Sequence, residues 1–229
     1  SFFLKKGFSL GRAYETQKSS GYVLPVLLLA LFIIGAVTGV YAASTEGPGS
    51  KHAPVLISLV AALLIGALAQ KSRMCFAGSI RDVILMKNFD LLSIIGALFA
   101  VMLIFNLATG NFHLSFSGQP IAHSQHLWNI LGMYVVGFAA VLAGGCPLRQ
   151  LILAGQGSSD SAVTFLGMLI GAAFAHNFGL VGAAAKAATE TEPAVAGGPA
   201  AAGKIAVIVC IVVLFVIAGT NLRRKKTAK

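Results

Sequence analysis

The chain has 229 residues, 57% of them hydrophobic and 10% charged, with a mean hydropathy of +0.85 and a formal net charge of +10. A water-soluble domain of this size cannot hide so much apolar surface behind so few polar residues, which leaves a bilayer as the solvent. The basic residues gather at the two ends and in short connections, not in a stripe interleaved with aromatics, and this speaks for membrane topology and against nucleic-acid binding.

Residues 1–21 carry Lys5, Lys6, Arg12 and Lys18 without the short apolar core and small-residue cleavage site of a signal peptide, and read as a basic cytoplasmic lead-in. Residues 22–221 then hold six stretches long and apolar enough to cross the hydrocarbon as helices: 22–43, 53–69, 91–109, 127–144, 161–180 and 204–221. None alternates like a barrel strand. The expected fold is an all-α polytopic membrane protein, ending in a basic cytoplasmic tail over 222–229. Tyr22, Tyr41 and Trp128 lie near span ends, where amphipathic rings favour the headgroup layer.

Charge placement fits six crossings. Lys71, Arg73, Arg81 and Lys87 fall in the second connection, Arg149 in the fourth, and Arg223, Arg224, Lys225, Lys226 and Lys229 after the last span. The intervening connections are poor in Lys and Arg, so both termini are expected on the cytoplasmic side of the inner (plasma) membrane. The Ala-, Gly- and Pro-rich region 183–203 reads as a flexible external linker.

Sliding the chain against itself by the 71 residues that separate Cys75 from Cys146 also superimposes Gly66 on Gly137 and Gly96 on Gly167. The sequence therefore contains a repeat, around 53–110 and 127–180, of a membrane helix, a cysteine, a short segment and a second membrane helix. The segments after the cysteines, 76–87 and 147–155, are too short to span and are expected to be re-entrant half-helices. Irregular backbone at that depth is tolerated only where it is buried in protein or lines a cavity, so the breaks at Gly144, Gly145 and Pro147 point to a site. Pro147 suits a first helical position, and a helix starting there aims its N–H groups and positive dipole end beside Cys146, which would attract an anion. The charge count implies parallel repeats; pairing each short helix with its neighbour as one crossing would make them inverted.

The candidate pathway residues are Cys75, Cys146, Arg81, Arg149, Gln150, His176 and Asn177. The two cysteines hold equivalent positions beside basic residues and helix breaks. Arg81 and Arg149 are either topology charges or fork-like donors to an oxyanion, with Gln150 as a neutral donor and Asp82 as a partner for Arg81 or Arg73. His176 and Asn177 are either helix glue or part of a gate. Cys210 reads as a small packing residue, and His113, His123 and His126 as solvated loop histidines. Three cysteines without Cys-x-x-Cys or Cys/His ligand spacing argue against a zinc or iron–sulfur site, and no metal or cofactor is expected. There is no Gly-rich loop ending in Gly-Lys-Ser/Thr, which argues against ATP as an energy source in this chain.

Three strings, Arg73-Met-Cys75-Phe-Ala-Gly-Ser-Ile-Arg81-Asp82, Leu-Ala-Gly-Gly-Cys146-Pro-Leu-Arg149-Gln150-Leu-Ile and Gly-Ala-Ala-Phe-Ala-His176-Asn177-Phe-Gly, resemble the YeeE/YedE family of membrane proteins. That family is associated with thiosulfate uptake and, in one branch, with selenium metabolism; Cys-Pro-Leu-Arg-Gln and His-Asn-Phe look like the selenium branch. The resemblance covers residues 55–180. It implies an hourglass-like importer in which Cys75 and Cys146 pass a small sulfur or selenium anion inward through S–H hydrogen bonds; Cys210 matches none of its motifs. Longer members carry a further N-terminal half with its own cysteine, so the expected partners include a missing half, a second copy or another subunit. The expected function is a channel-like transporter and not an enzyme. The alternatives are a membrane thiol carrier that passes persulfide sulfur to a cytoplasmic sulfurtransferase, and a non-transporting subunit of a membrane complex.

Overall fold

The computed structural model describes residues 18–39, 53–112, 114–116, 123–182 and 197–222. Among these residues all the secondary-structure elements are helices. A single turn, Lys18–Gly21, leads into α1 (Val23–Thr38), followed by α2 (Val55–Lys71), α3 (Phe76–Met86), α4 (Asp90–Ala108), α5 (His126–Leu142), α6 (Pro147–Gly155), α7 (Ser159–Asn177) and α8 (Ala201–Thr220). The six expected spans correspond to α1, α2, α4, α5, α7 and α8, and the two expected half-helices to α3 and α6. Most of the basic lead-in and tail, Tyr41, His113 and residues 183–196 of the linker lie outside the described residues.

Among the described residues four apolar stretches are long enough to cross a membrane: Val55–Met86, Asp90–Ala108, His126–Gly155 and Ala201–Thr220. The protein is thus an all-α polytopic membrane protein. Of the six expected spans, α2 and α5, 17 residues each, meet that measure only joined to α3 and α6, and α1 and α7 fall short of it for different reasons. α1 has 16 residues, a rise of about 24 Å against a hydrocarbon core of about 30 Å. α7 is long enough but polar at both ends, with Ser159, Asp160 and Ser161 in its first turn and His176 and Asn177 in its last. Large apolar side chains point outward in mid-helix; Leu63, Ile104 and Ile170 are 65%, 65% and 69% exposed. Lipid, not a protein core, is the solvent that such a surface requires.

The repeat extends to individual hydrogen bonds. At the end of α2, Ser72 N–H donates to Leu68 O (2.9 Å), Arg73 N–H to Gln70 O (3.2 Å) and Met74 N–H to Ala69 O (3.1 Å). At the end of α5 the bonds 71 residues later are Ala143 to Ala139 (2.8 Å), Gly144 to Val141 (3.4 Å) and Gly145 to Ala140 (2.9 Å). This is the Schellman arrangement, which closes a helix through one left-handed residue. That residue is Arg73 (φ 52°) in one copy and Gly144 (φ 79°) in the other.

Beyond the half-helices the equivalence shifts. α3 has 11 residues and α6 has 9, so α4 and α7, each 19 residues long, are related by 69 positions. Gly96 therefore pairs with Phe165 rather than with Gly167, which corrects the expectation drawn from the 71-residue offset. Gly110 (φ 70°) and Gly179 (φ 62°) close α4 and α7 at that same spacing.

Two compact units are interleaved along the sequence. One comprises Phe76–Cys146 and the chain from Leu169 onward, and the other Ala13–Cys75 and Pro147–Met168. The chain thus changes unit immediately after each cysteine, and each half-helix packs on the long helix of the other repeat. In the first unit α3 lies along α4 and against α5, while α8 packs on α5; in the second, α6 packs on α2 and α1.

Within the first unit α5 and α8 run parallel. Gln125 Nε2 donates to Gly197 O (2.9 Å), Lys204 Nζ sits 5.5 Å over the Trp128 ring, and further along Phe138 meets Phe215 edge-on at 5.0 Å. The chain leaving α7 returns to the same end: a Cβ on Gly182 would overlap the Gly198 carbonyl, and one on Gly203 the Leu180 carbonyl. The end of the expected linker is fixed here, since Gly198 holds φ +112° against the Gln125 side chain.

Candidate functional site

Among the described residues burial is scarce and concentrates at the two cysteine junctions. Cys75 (7% exposed) and Cys146 (4%) are thiols outside any disulfide, and each directly precedes the first residue of its half-helix. Four residues later, on the same helical face, stand Ser79 (1%) and Gln150 (4%), which the 71-residue offset also superimposes. With Ser161 these are the buried polar side chains among the described residues. Sequence reading selected Gln150 and missed Ser79, although applying the offset to Gln150 would have found it. Ser79 Oγ donates to Phe76 O at 2.8 Å, as a hydroxyl does when it must satisfy itself inside a helix.

The two arginines stand in different settings. In the second unit Arg149 Nη1, in the first turn of α6, donates to Gln70 Oε1 near the end of α2 at 3.1 Å. In the first unit Arg81 Nε donates to Asp82 Oδ1 at 2.8 Å, with the Arg81 side chain 40% exposed. There Arg81 and Gly78 of α3, with Ala140, Val141 and Gly144 at the end of α5, line a pocket of about 80 Å³. Val141 and Gly144 come from the very turn that precedes Cys146.

His176 and Asn177 are not among the residues lining this pocket. Both are exposed at the end of α7, where Asn177 Nδ2 donates back to Ala173 O at 2.8 Å. His123 and His126 flank the start of α5, His126 edge-on to Phe116 at 6.1 Å. Among the described residues no three His, Cys, Asp or Glu side chains group to hold a metal. Cys210 is exposed on α8, so packing within the chain is not its role.

Together these features define a class: a polytopic helical membrane protein built on a duplicated unit of long helix, Schellman turn, buried thiol and half-helix. The chain matches the model of the sulphur transport family over residues 71–229 and belongs to that family. It is 30% identical over 113 residues to the thiosulfate transporter TsuA of Spirochaeta thermophila, a match covering 48% of this chain and 33% of the relative. It is 26% identical over 120 residues to the thiosulfate transporter TsuA of Escherichia coli, covering 51% and 32% respectively. The matched region is thus about a third of each relative's own length. No solved structure matches the chain.

Proposed function

We propose that this chain forms a path by which a thiosulfate-like anion, or its selenium counterpart, enters the cell, with Cys75 and Cys146 as successive hydrogen-bonding stations. The supporting observation is the equivalence of the two thiols: both buried, both at the mouth of a half-helix, both after the same turn. Half-helix N-termini offer positive dipole ends to an anion that must shed water. A thiol holds the anion's sulfur weakly, and weak, repeated sites permit conduction where one deep site would trap. Gln150 and Ser79 each add a polar group four residues after a thiol on its own helix, and Arg81 adds charge in the middle of α3.

In this reading no covalent step occurs, both termini are cytoplasmic by the distribution of Lys and Arg, and the membrane is the inner one. Uptake of labelled thiosulfate into liposomes containing the purified chain tests the proposal. Saturable uptake, lowered about tenfold or more in both Cys75→Ser and Cys146→Ser, is expected. Uptake unchanged in both variants overturns the thiol relay. Cyanide-labile sulfur on the purified protein after exposure to thiosulfate would favour the persulfide carrier instead.

A further inference from the structure

We infer that the pocket between α3 and the end of α5 is a binding site for a small tetrahedral oxyanion, with Arg81 as its cationic donor. The choice of thiosulfate as that anion rests on the transport reading above.

Exchange of the half-helices creates two equivalent contacts, α6 on α2 and α3 on α5. In the first, Arg149 reaches Gln70. The 71-residue offset carries Arg149 to Gly78 and Gln70 to Val141, and both of these line the pocket. A glycine and a valine cannot meet across the space that a guanidinium and an amide fill. In one contact two side chains meet as a clasp, and in its counterpart the equivalent positions line a pocket.

The charge is displaced and not lost. Arg81 stands three residues beyond Gly78, one helical turn along the same face, and lines the pocket. Asp82 accepts from Nε and so fixes the guanidinium plane. The two Nη groups form no hydrogen bond among the described residues, and that edge is the one that binds oxyanions through paired donors. On the opposite wall a Cβ at Gly144 would meet nothing within 4 Å, so an anion can approach the backbone there. Ala140 and Val141 supply an apolar wall suited to the soft, weakly hydrated terminal sulfur of thiosulfate, while its oxygens face Arg81. This wall predicts a preference for thiosulfate over sulfate.

Equilibrium binding of labelled thiosulfate to the purified full chain, with sulfate as competitor, tests the site, and liposome uptake is measured on the same proteins. Arg81→Gln is expected to weaken binding about tenfold or more. Grafting the clasp with Gly78→Arg and Val141→Gln together is expected to abolish it. Lys71→Gln, an exposed charge outside the pocket, stays within about twofold of wild type. Wild-type protein that binds no thiosulfate, or binding unchanged in Arg81→Gln, overturns the site. Should the grafted variant lose its thermal unfolding transition, Arg81→Gln decides alone. Binding that depends on Arg81 in a protein that takes up nothing keeps the site and rejects transport; uptake with unchanged affinity in Arg81→Gln keeps transport and rejects the site.

Discussion

Arg73 and Gly144, 71 residues apart, both adopt left-handed backbone, at φ 52° and 79°, as the closing residue of two turns with the same three hydrogen bonds. Glycine adopts this conformation freely, whereas a side chain there costs about 1 kcal/mol. Arg73→Gly is therefore expected to stabilise the protein by about 0.5–1 kcal/mol, and Gly144→Ala to destabilise it by about 1 kcal/mol. Thermal unfolding in detergent reads both signs. A loss of stability in Arg73→Gly would mean that the side chain makes a contact worth more than the strain.

The Arg149–Gln70 hydrogen bond is the clasp between α6 and α2. Arg149→Ala and Gln70→Ala are each expected to cost about 1 kcal/mol, and the double variant little more than either alone. A coupling energy near zero in this cycle would show that the two side chains contribute independently.

Gly198 combines φ +112° with direct contact on Gln125. Gly198→Ala brings backbone strain and overlap together and is expected to cost about 2 kcal/mol or more, exceeding the roughly 1 kcal/mol lost in Gln125→Ala with its bond to Gly197 O. Equal losses would indicate that the connection shifts to admit the methyl group.

The three thiols differ in exposure: Cys210 is exposed, Cys75 and Cys146 are buried. An apolar maleimide in detergent is expected to label Cys210 at least about tenfold faster than the other two, with mass spectrometry assigning the sites. Equal rates at all three would place the junctions in open contact with solvent. On the transport reading, added thiosulfate slows labelling of Cys75 and Cys146 and leaves Cys210 unaffected.

Composition alone placed the chain in a membrane, because no arrangement of these residues hides its apolar surface from water. The helices α2, α4, α5 and α8 were legible from runs of apolar residues, and α6 from Pro147 after Gly144 and Gly145, since hydropathy and backbone chemistry act over a few neighbouring positions. The offset between Cys75 and Cys146 exposed the repeat. It could not reveal that α6 is two residues shorter than α3, which moves the equivalence of α4 and α7 to 69 positions. Nor could it show that the half-helices exchange partners, α3 packing on α5 and α6 on α2. That exchange alone decides that Arg149 meets Gln70 while Gly78 faces Val141 across a pocket beside Arg81. Two arginines that look alike in sequence thus take different places, because what surrounds each is chosen by residues about 60–80 positions away, whose pairing only the folded chain sets.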